Sequence, residues 1–358
     1  MMYQLPEKLK NLTAYEPNSG DYTIRLDANE SFLPLTKEIK DEIKKAMDGL
    51  EFHRYPDPDS KQVIKAFAHF FELDENLVVA GNGSDELISI ILANFATYQD
   101  SILVTSPDFS MYEFYGKQSG LHVEKLEKTE DFSIDYMIKV AKEKQCKIVL
   151  LSNPCNPSSL CIQKDEIKKL AQSLDCLVVI DEAYMDFSDE SIIKETNQFD
   201  NVIVLKTCSK AFGLAAIRLG FAISNPKLTS CLKMVKSPYN VNLLTQTVGE
   251  IVLSKKEYLI QCIEGMKKET KFLYEELKKL ENQYPTILKI NPTSTNFIFL
   301  WCQTKERAKS CMERMKKEKI AIRLMGAYIR ITAGSRVENE MVLTVMKQWL
   351  MEEENEKL

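Results

Sequence analysis

The sequence predicts an α/β protein in which a mostly parallel central sheet is covered by helices on both faces, with a smaller α+β domain after it. Three observations predict this. Between residues 74 and 224, short apolar β-branched segments alternate with amphipathic helical patterns, as in parallel sheets. The segments IVLLS, LVVID and VIVLK are almost wholly apolar, which is typical of strands buried on both faces. After Pro226, long helical segments predominate and strands become few.

In chain order, the predicted strands of the first region are Leu77–Ala80, Ile102–Thr105, His122–Leu126, Ile148–Ser152, Leu177–Ile180, Val202–Leu205 and Gly220–Ser224. The helices predicted between them include Asp135–Lys144 and Lys164–Leu174. The second region is predicted as a helical stretch from Leu228 to Leu280 with a break near Ser237-Pro238, the strand Thr295–Trp301, the helix Lys305–Lys316, short strands around Ile322 and Ile329, and a helix from Val337. We expect a large domain at residues 36–245, and a small domain built from residues 1–35 and 246–358.

Composition excludes several classes of protein. The formal charge of −5 argues against a nucleic-acid partner, because phosphate backbones are bound by a basic face. The N-terminus has no apolar signal-peptide core, and no apolar stretch reaches the ~18 residues of a membrane helix. Nine cysteines without a CxxC pair, together with three scattered histidines, indicate reduced thiols and no metal site. The expected location is the cytoplasm.

Polar residues gather where the predicted strands end, and open parallel sheets bind their ligands at that edge. Asp181 follows a buried strand directly, and it either caps the next turn or pairs with a charged ligand. The next strand leads into Thr207, Ser209 and Lys210, with Arg218 eight residues later. Hydroxyls and arginine suit a phosphate. The lysine is either a further phosphate contact or a nucleophile that forms a Schiff base.

Two further segments offer polar groups at strand ends. Gly83, Ser84 and Asp85 stand between a strand and a helix, where free backbone N–H groups bind phosphate or where the Ser simply caps the helix. Glu86 occupies the place of the third glycine of a dinucleotide fingerprint, which argues against NAD. The loop NPCNPSS carries Asn156, whose amide can donate and accept; taken alone, this loop is typical of a turn.

Taken in order, GNGSDE, NPCNPSS, DEAY and SKAFGLAAIR resemble the motifs of fold-type-I pyridoxal-phosphate (PLP) aminotransferases. The resemblance spans nearly the whole chain and implies the aspartate-aminotransferase fold. Within that family the sequence is most similar to histidinol-phosphate aminotransferases. The segments NLTAYEP, LDANES, HRYPDP, KSPYNVN and IRITAGSR carry this closer likeness.

The resemblance implies roles for residues that match the family motifs. Lys210 would hold PLP covalently and move the substrate proton. Asp181 would pair with the ring nitrogen and keep it protonated. Tyr184 and Asn156 would hydrogen-bond the ring's phenolic oxygen, and Asn156 would also face the substrate. Phe109 would stack on the ring.

The remaining implied roles concern anionic groups. The cofactor phosphate would be held by the backbone at Ser84 and Asp85 together with Thr207, Ser209 and Arg218. Tyr55 would reach the phosphate of the neighbouring subunit's cofactor, so the active unit would be a homodimer with shared sites. Arg330 would bind the substrate's anionic group, and Tyr15 and Arg323 would contact a substrate phosphate.

The implied reaction is a ping-pong transamination of histidinol phosphate and 2-oxoglutarate, giving imidazole acetol phosphate and glutamate, in histidine biosynthesis. Alternatives are a lyase resembling threonine-phosphate decarboxylase, or a transferase for another amino acid such as an aromatic one. A non-catalytic PLP-binding regulator fits poorly, because no DNA-binding segment is attached and the chain is acidic.

Three departures from the family pattern concern the substrate more than the cofactor. Ser158-Ser159 replaces the usual Thr-Gly, and Asn29-Glu30-Ser31-Phe32 replaces Asn-Glu-Asn-Pro. The connection between Arg323 and Arg330 is short. This connection is expected near the substrate phosphate, so the sequence determines the cofactor better than the substrate.

Overall fold

The main sheet of the protein has seven strands. The computed structural model describes residues 3–5, 18–128 and 132–355. The first strand of the chain, β1 (Ile24–Arg25), lies outside this sheet. The strands of the sheet are β2 (Val78–Gly81), β3 (Ser101–Ser106), β4 (His122–Glu127), β5 (Ile148–Ser152), β6 (Leu177–Asp181), β7 (Val202–Thr207) and β8 (Gly220–Ser224). Their spatial order is β2-β8-β7-β6-β5-β3-β4, and β8 alone runs opposite to the other six strands. The predicted mostly parallel sheet is confirmed.

The predicted strands agree with the observed ones to within one or two residues, and the differences affect the site. Strand β6 continues to Asp181, and β7 continues to Thr207. Both residues therefore belong to the sheet, where alternation fixes the face on which each side chain lies. The apolar-run criterion ended these strands early because it stops at the first polar residue.

Helices cover both faces of the sheet. The helices of this region are α1 (Lys37–Met47), α2 (Lys61–Phe71), α3 (Ser84–Asn94), α4 (Met111–Gln118), α5 (Ile134–Glu143), α6 (Lys164–Ser173), α7 (Pro226–Val235) and α8 (Leu243–Leu253). Alternate strand residues belong to different clusters: Ile180 and Val204 pack with α2, α5, α6 and α8. Val179 and Leu205 pack with α3, α4 and α7 on the opposite face.

The second region contains a smaller sheet. Its elements are α9 (Lys256–Gln283), β9 (Lys289–Ile290), β10 (Phe297–Trp301), α10 (Lys305–Lys317), β11 (Ile320–Ala321), β12 (Arg323–Met325), β13 (Tyr328–Thr332) and α11 (Arg336–Asn355). Strands β12, β13, β10 and β9 form one antiparallel sheet, while β1 pairs in parallel with β11. A separate apolar cluster lies beneath these elements. The domain boundaries at residues 35/36 and 245/246 stay a prediction.

One detail of the second region differs from the prediction, and a second one specifies it. The helical stretch before residue 283 has a second break, at Ser254 and Lys255, between α8 and α9. The sequence has neither Pro nor Gly at this break, so no helix-breaking residue indicates it. The short connection before Arg330 is a tight hairpin between β12 and β13, whose turn contains Gly326 with a left-handed φ of 66°.

Membrane and metal-binding features are also absent from the described part of the chain. Across its ranges, no helix has the length and apolar character needed to cross a bilayer. The same ranges contain no group of three or more His, Cys, Asp or Glu side chains arranged to hold a metal ion. All nine cysteines are free thiols.

Candidate active site

The polar residues at the strand ends meet at one edge of the large sheet. Ser152 on β5 is in register with Asp181 on β6, and Asp181 with Leu205 on β7. Because side chains alternate, Asp181 and Thr207 lie on the sheet face that α3, α4 and α7 cover. Their sequence neighbours Glu182 and Lys206 lie on the other face.

Asp181 is a buried carboxylate, only 4% exposed. Its Oδ2 accepts a hydrogen bond from the Tyr112 hydroxyl at 2.8 Å, and its Oδ1 accepts one from the Ala183 amide at 3.1 Å. Within the described ranges, no Lys, Arg or His nitrogen lies within 4.0 Å of this carboxylate. Burial raises the pKa of Asp181 to about 6. A cationic ligand group would compensate the cost of burying this charge.

Lys210 lies half-buried next to the aromatic ring of Tyr184. Its Nζ donates to the Ala28 carbonyl at 2.8 Å and lies 5.9 Å from the centroid of the Tyr184 ring. No ion pair to a described carboxylate holds this ammonium group. The Tyr184 hydroxyl is buried and accepts a hydrogen bond from Asn29 Nδ2 at 2.8 Å. Among the described residues the lysine is thus held by one neutral acceptor, which suits a covalent or acid–base role.

Arg330 is oriented by two short hydrogen bonds. Its Nη1 donates to Asn156 Oδ1 at 2.6 Å and its Nη2 donates to the Asp27 carbonyl at 2.6 Å. The guanidinium group also lies 5.4 Å from the centroid of the Phe297 ring. An arginine fixed in this way can bind a carboxylate or phosphate with two parallel hydrogen bonds.

A cradle for an anion lies where α3 begins. Gly83, with a φ of 85°, precedes the first turn of α3. A side chain at Gly83 would bring its Cβ to 3.0 Å from Arg218 Nη2, so the glycine lets the arginine approach the helix. Arg218 Nη1 donates to the Ser209 hydroxyl at 3.1 Å, and the Ser209 amide donates to Thr207 Oγ1 at 3.1 Å. Free first-turn N–H groups, two hydroxyls and an arginine suit a phosphate.

Gly220 is the second glycine that this cradle requires. It stands at the start of β8, and a Cβ there would collide with the backbone nitrogen of Ser84. The side chain of Asp85 accepts a hydrogen bond from the Tyr115 hydroxyl at 2.8 Å, which ties the first turn of α3 to α4. The predicted phosphate residues are therefore close together in space.

The two aromatic residues of the segment SPDFSMY make different contacts. Phe109 is half-buried and packs edge-to-face against Tyr112, with ring centroids 5.5 Å apart. Tyr112 is buried and its hydroxyl reaches Asp181. Phe109 therefore stands next to the residue that contacts the buried carboxylate.

The other three predicted site residues differ in position from this group. Tyr55 is 81% exposed and stacks on Tyr239, with ring centroids 4.6 Å apart. Arg323 is half-buried on β12, where it is the register partner of Arg330 on β13. Tyr15 lies outside the described residues.

Two residues of the site have roles that the sequence did not reveal. Tyr112 is the hydroxyl donor of Asp181. Asn29, quoted only as part of a motif, is the amide donor of Tyr184. A buried strand-end carboxylate signals that some donor is needed, but no local pattern names a partner 69 or 155 residues away.

The serine that stands where the family motif has glycine adopts a backbone conformation that favours glycine. Ser159 is buried and left-handed, with a φ of 61°. Its hydroxyl donates to the Pro292 carbonyl at 2.9 Å, and its own carbonyl accepts from the Ser294 amide at 3.0 Å. These bonds to the second region offset the strain of a left-handed non-glycine residue.

Comparison with known proteins gives a consistent result. The family model "Aminotransferase class I and II" matches residues 22–346. The chain is 40% identical over 346 residues, 95% of each chain, to the histidinol-phosphate aminotransferase of Clostridium novyi (strain NT). It is 33% identical over 350 residues to that of Pyrococcus furiosus, covering 97% of this chain and 98% of that relative.

One solved structure supports the fold independently of close sequence similarity. The histidinol-phosphate aminotransferase of Sinorhizobium meliloti, crystallised in complex with pyridoxal-5'-phosphate, superposes with a TM-score of 0.87 at 19% identity, covering 98% of this chain and 99% of the other. At that identity the likeness concerns the fold alone. The predicted PLP-dependent transferase fold is confirmed.

Proposed function

This chain belongs to the aminotransferase class I and II family, and from that premise we propose that it transfers the amino group of L-histidinol phosphate to 2-oxoglutarate in histidine biosynthesis. The family makes the protein a PLP-dependent aminotransferase. The observation that carries the substrate assignment is the 40% identity over 95% of both chains. Threonine-phosphate decarboxylation and transamination of aromatic amino acids stay the competing outcomes of the test.

The residues of the site fit PLP. The buried Asp181 carboxylate has no cation beside it among the described residues, and the cofactor's protonated ring nitrogen is one. The cradle of α3, Ser209 and Arg218 suits the cofactor's phosphate. Lys210 is held by a carbonyl and is available to hold the aldehyde. When bound, PLP supplies an electron-withdrawing ring that stabilises negative charge at the substrate's α-carbon.

The chain's own residues then have separate tasks. We assign Lys210 as the base that takes the substrate's α-proton and returns it. Asp181 keeps the ring nitrogen protonated, because a buried carboxylate strongly favours a neighbouring cation. Tyr184 and Asn156 hold the ring's phenolic oxygen, and Phe109 stacks on the ring.

Anionic groups are bound by arginines and hydroxyls. Thr207, Ser209 and Arg218, with the backbone at Ser84 and Asp85, bind the cofactor phosphate. Arg330, already oriented by Asn156 and Asp27, binds an anionic group of the substrate. Arg323 and Tyr15 are the remaining candidates for the substrate phosphate.

A homodimer belongs to the same proposal, as does a cytoplasmic location, which the nine free cysteines support. The ring of Tyr55 is 81% exposed and stacks on Tyr239 rather than on a residue of the cradle. It is therefore available to a neighbouring subunit. Mixing Lys210→Ala and Tyr55→Ala subunits should restore activity, because one of the two shared sites is then complete. Absence of any restoration in mixed dimers would contradict shared sites.

The substrate assignment is tested by supplying the purified, PLP-loaded protein with L-histidinol phosphate and 2-oxoglutarate and measuring glutamate. Parallel reactions measure carbon dioxide from L-threonine phosphate and glutamate from L-phenylalanine or L-tyrosine. We expect histidinol phosphate to give the highest kcat/KM. A higher value for either competitor would overturn the substrate assignment.

Replacing the lysine tests the chemistry itself. Lys210→Ala should lower the rate by about 10⁴-fold, the upper end of what a general base contributes. Borohydride reduction of the wild-type protein should attach the cofactor to the peptide that carries Lys210. An active Lys210→Ala variant, or a label on another lysine, would show that the assignment is wrong.

A further inference from the structure

Three consecutive residues, Asp27, Ala28 and Asn29, contact three different residues of the site. The Asp27 carbonyl accepts from Arg330, the Ala28 carbonyl accepts from Lys210, and the Asn29 amide donates to Tyr184. This segment precedes α1 and is distant in sequence from all three partners, the nearest of them 155 residues away. The conformation of this segment therefore affects the positions of Lys210, Arg330 and Tyr184 together.

Asn29 is the most constrained member of the segment. It is 1% exposed and left-handed, with a φ of 54°. Its backbone amide donates to Thr332 Oγ1 at 3.0 Å, and its carbonyl accepts from Asn296 Nδ2 at 3.1 Å. Thr332 is the last residue of β13, and Asn296 directly precedes β10. The backbone of Asn29 is thereby fixed on both sides by the second region.

The same network fixes the direction of each hydrogen bond. Thr332 Oγ1 receives the Asn29 backbone N–H, so it gives its own proton to Asn29 Oδ1, 3.1 Å away. The Asn29 Nδ2 group is then left to donate to the Tyr184 oxygen at 2.8 Å. A phenol that already accepts a bond at its oxygen must use its single proton elsewhere. Tyr184 is therefore prepared as a donor.

We propose that Asn29 is a positioning residue that makes Tyr184 a directed hydrogen-bond donor toward the phenolic oxygen of the cofactor. The inference rests on the proposed roles of Tyr184 and Lys210. Hydrogen bonds in a chain polarise one another, so the amide strengthens the donation by the phenol. Donation to the phenolic oxygen favours its anionic form and lowers the pH at which the Lys210-bound cofactor loses its proton.

The measurement is the pH titration of the visible absorbance of the PLP-loaded protein. Asn29→Gly removes the amide without straining a left-handed backbone. One neutral hydrogen bond corresponds to a shift of about half a unit to one unit, so the midpoint should rise by that amount. Tyr184→Phe should raise the midpoint as well. Asn29→Gly should add no further shift in the Tyr184→Phe background, because the amide acts through the phenol.

A matched control separates positioning from general destabilisation. Asn339 is also a fully buried asparagine; its side chain accepts from the Gly334 amide at 2.9 Å and donates to the Gly334 carbonyl at 3.0 Å. Asn339→Ala should lower the unfolding temperature and leave the absorbance midpoint in place. Should Asn29→Gly fail to fold, Asn29→Asp retains the size and the left-handed tolerance but accepts the Tyr184 proton. Its midpoint should also rise, and by less when Tyr184 is Phe.

Failure of this inference can be told from failure of the proposed function. If borohydride does not label Lys210 in the wild-type protein, the proposed function fails. If Lys210 is labelled but the Asn29 variants titrate with the wild-type midpoint, the positioning role is wrong. An equal shift of the midpoint with Tyr184 present and absent would also overturn it, because the amide would then act by another route.

Discussion

Two carboxylates and two lysines lie near the ends of β6 and β7, and the two groups differ in how their charges are balanced. On one face of the sheet, Lys206 forms an ion pair with Asp186 at 2.9 Å, and both side chains are at most 5% exposed. At the proposed active site, Asp181 accepts from a hydroxyl and an amide, and Lys210 donates to a carbonyl. Among the described residues, the charges of the first group are matched inside the chain, and those of the second are not.

This difference separates a structural ion cluster from a functional site. Glu182, adjacent to Asp181, accepts from the Ser191 hydroxyl at 2.6 Å and from the Ile192 amide at 3.1 Å, and it lies near Lys206. A buried charge that is paired within the protein contributes to the fold; a buried charge that lacks its counter-ion is costly and indicates a ligand. Alternation along two strands is enough to place the two kinds of charge on opposite faces.

The largest expected effect on stability comes from breaking the structural pair. Lys206→Met leaves Asp186 buried without its cation and should lower the free energy of unfolding by about 3–5 kcal/mol. Urea denaturation measures the loss, and the activity per folded molecule should not change. In the double variant Lys206→Met/Asp186→Leu, much of the stability should return. A large loss of kcat with unchanged stability would contradict the structural role.

The active-site carboxylate should show the reverse pattern. Asp181→Asn removes the charge that we propose faces the ring nitrogen, and kcat/KM at saturating PLP should fall by about 10²–10³-fold, as when one preorganised electrostatic contact is lost. Glu182→Gln is the matched neighbour, and its kcat/KM should stay within a few-fold of wild type. Equal losses in the two variants would show that the two faces do not differ in function.

The stability of the cofactor-free protein should depend on the protonation of Asp181. Burial raises its pKa from 3.8 to about 6, so the folded state holds the proton over a pH range where the unfolded chain releases it. Stability is therefore full below the unfolded pKa and falls as pH rises through this range. A shift of about two units corresponds to about 3 kcal/mol.

Glu182 gives a pH dependence of the same sign, because burial raises its pKa to about 7. Comparing wild type with Asp181→Asn removes the Glu182 contribution, which both proteins share. The difference in unfolding free energy between wild type and Asp181→Asn, both without PLP, should change by up to about 3 kcal/mol between about pH 4 and pH 7. Added PLP should reduce the change, because it supplies the missing cation. A difference that is constant with pH would mean that burying the ionised Asp181 carboxylate does not lower the free energy of unfolding.

How much of this comparison could be predicted from the sequence depends on the distance between partners. Buried apolar runs predict the sheet, and the motifs alone single out Asp181, Lys210 and Arg218 as residues of the proposed site. Alternation along LVVIDE and VLKT also places Asp181 and Glu182 on opposite faces once the strand ends are known. Local patterns therefore suffice for residues whose role depends on their own strand or motif.

Residues whose role depends on distant partners could not be predicted in this way. Tyr112 and Asn29 meet their carboxylate and phenol only through the tertiary fold, 69 and 155 residues away along the chain. The break at Ser254 was missed for a different reason, because its residues are compatible with a helix. For Tyr112 and Asn29, the deciding contacts lie outside the segment that the pattern covers.

The smallest expected effect tests the Tyr112 hydroxyl, the partner that the sequence did not reveal. Tyr112→Phe keeps the buried ring and removes one hydrogen bond from Asp181, which should cost about 0.5–1.5 kcal/mol, or about 2- to 12-fold in kcat/KM. The variant should act through the carboxylate, so its effect should shrink when Asp181 is already Asn. Kinetics of the two single variants and the double variant measure this coupling. If the two effects on kcat/KM multiply independently, the Tyr112 hydroxyl does not act through Asp181. The neutral donors around this carboxylate then contribute only to the packing of the core.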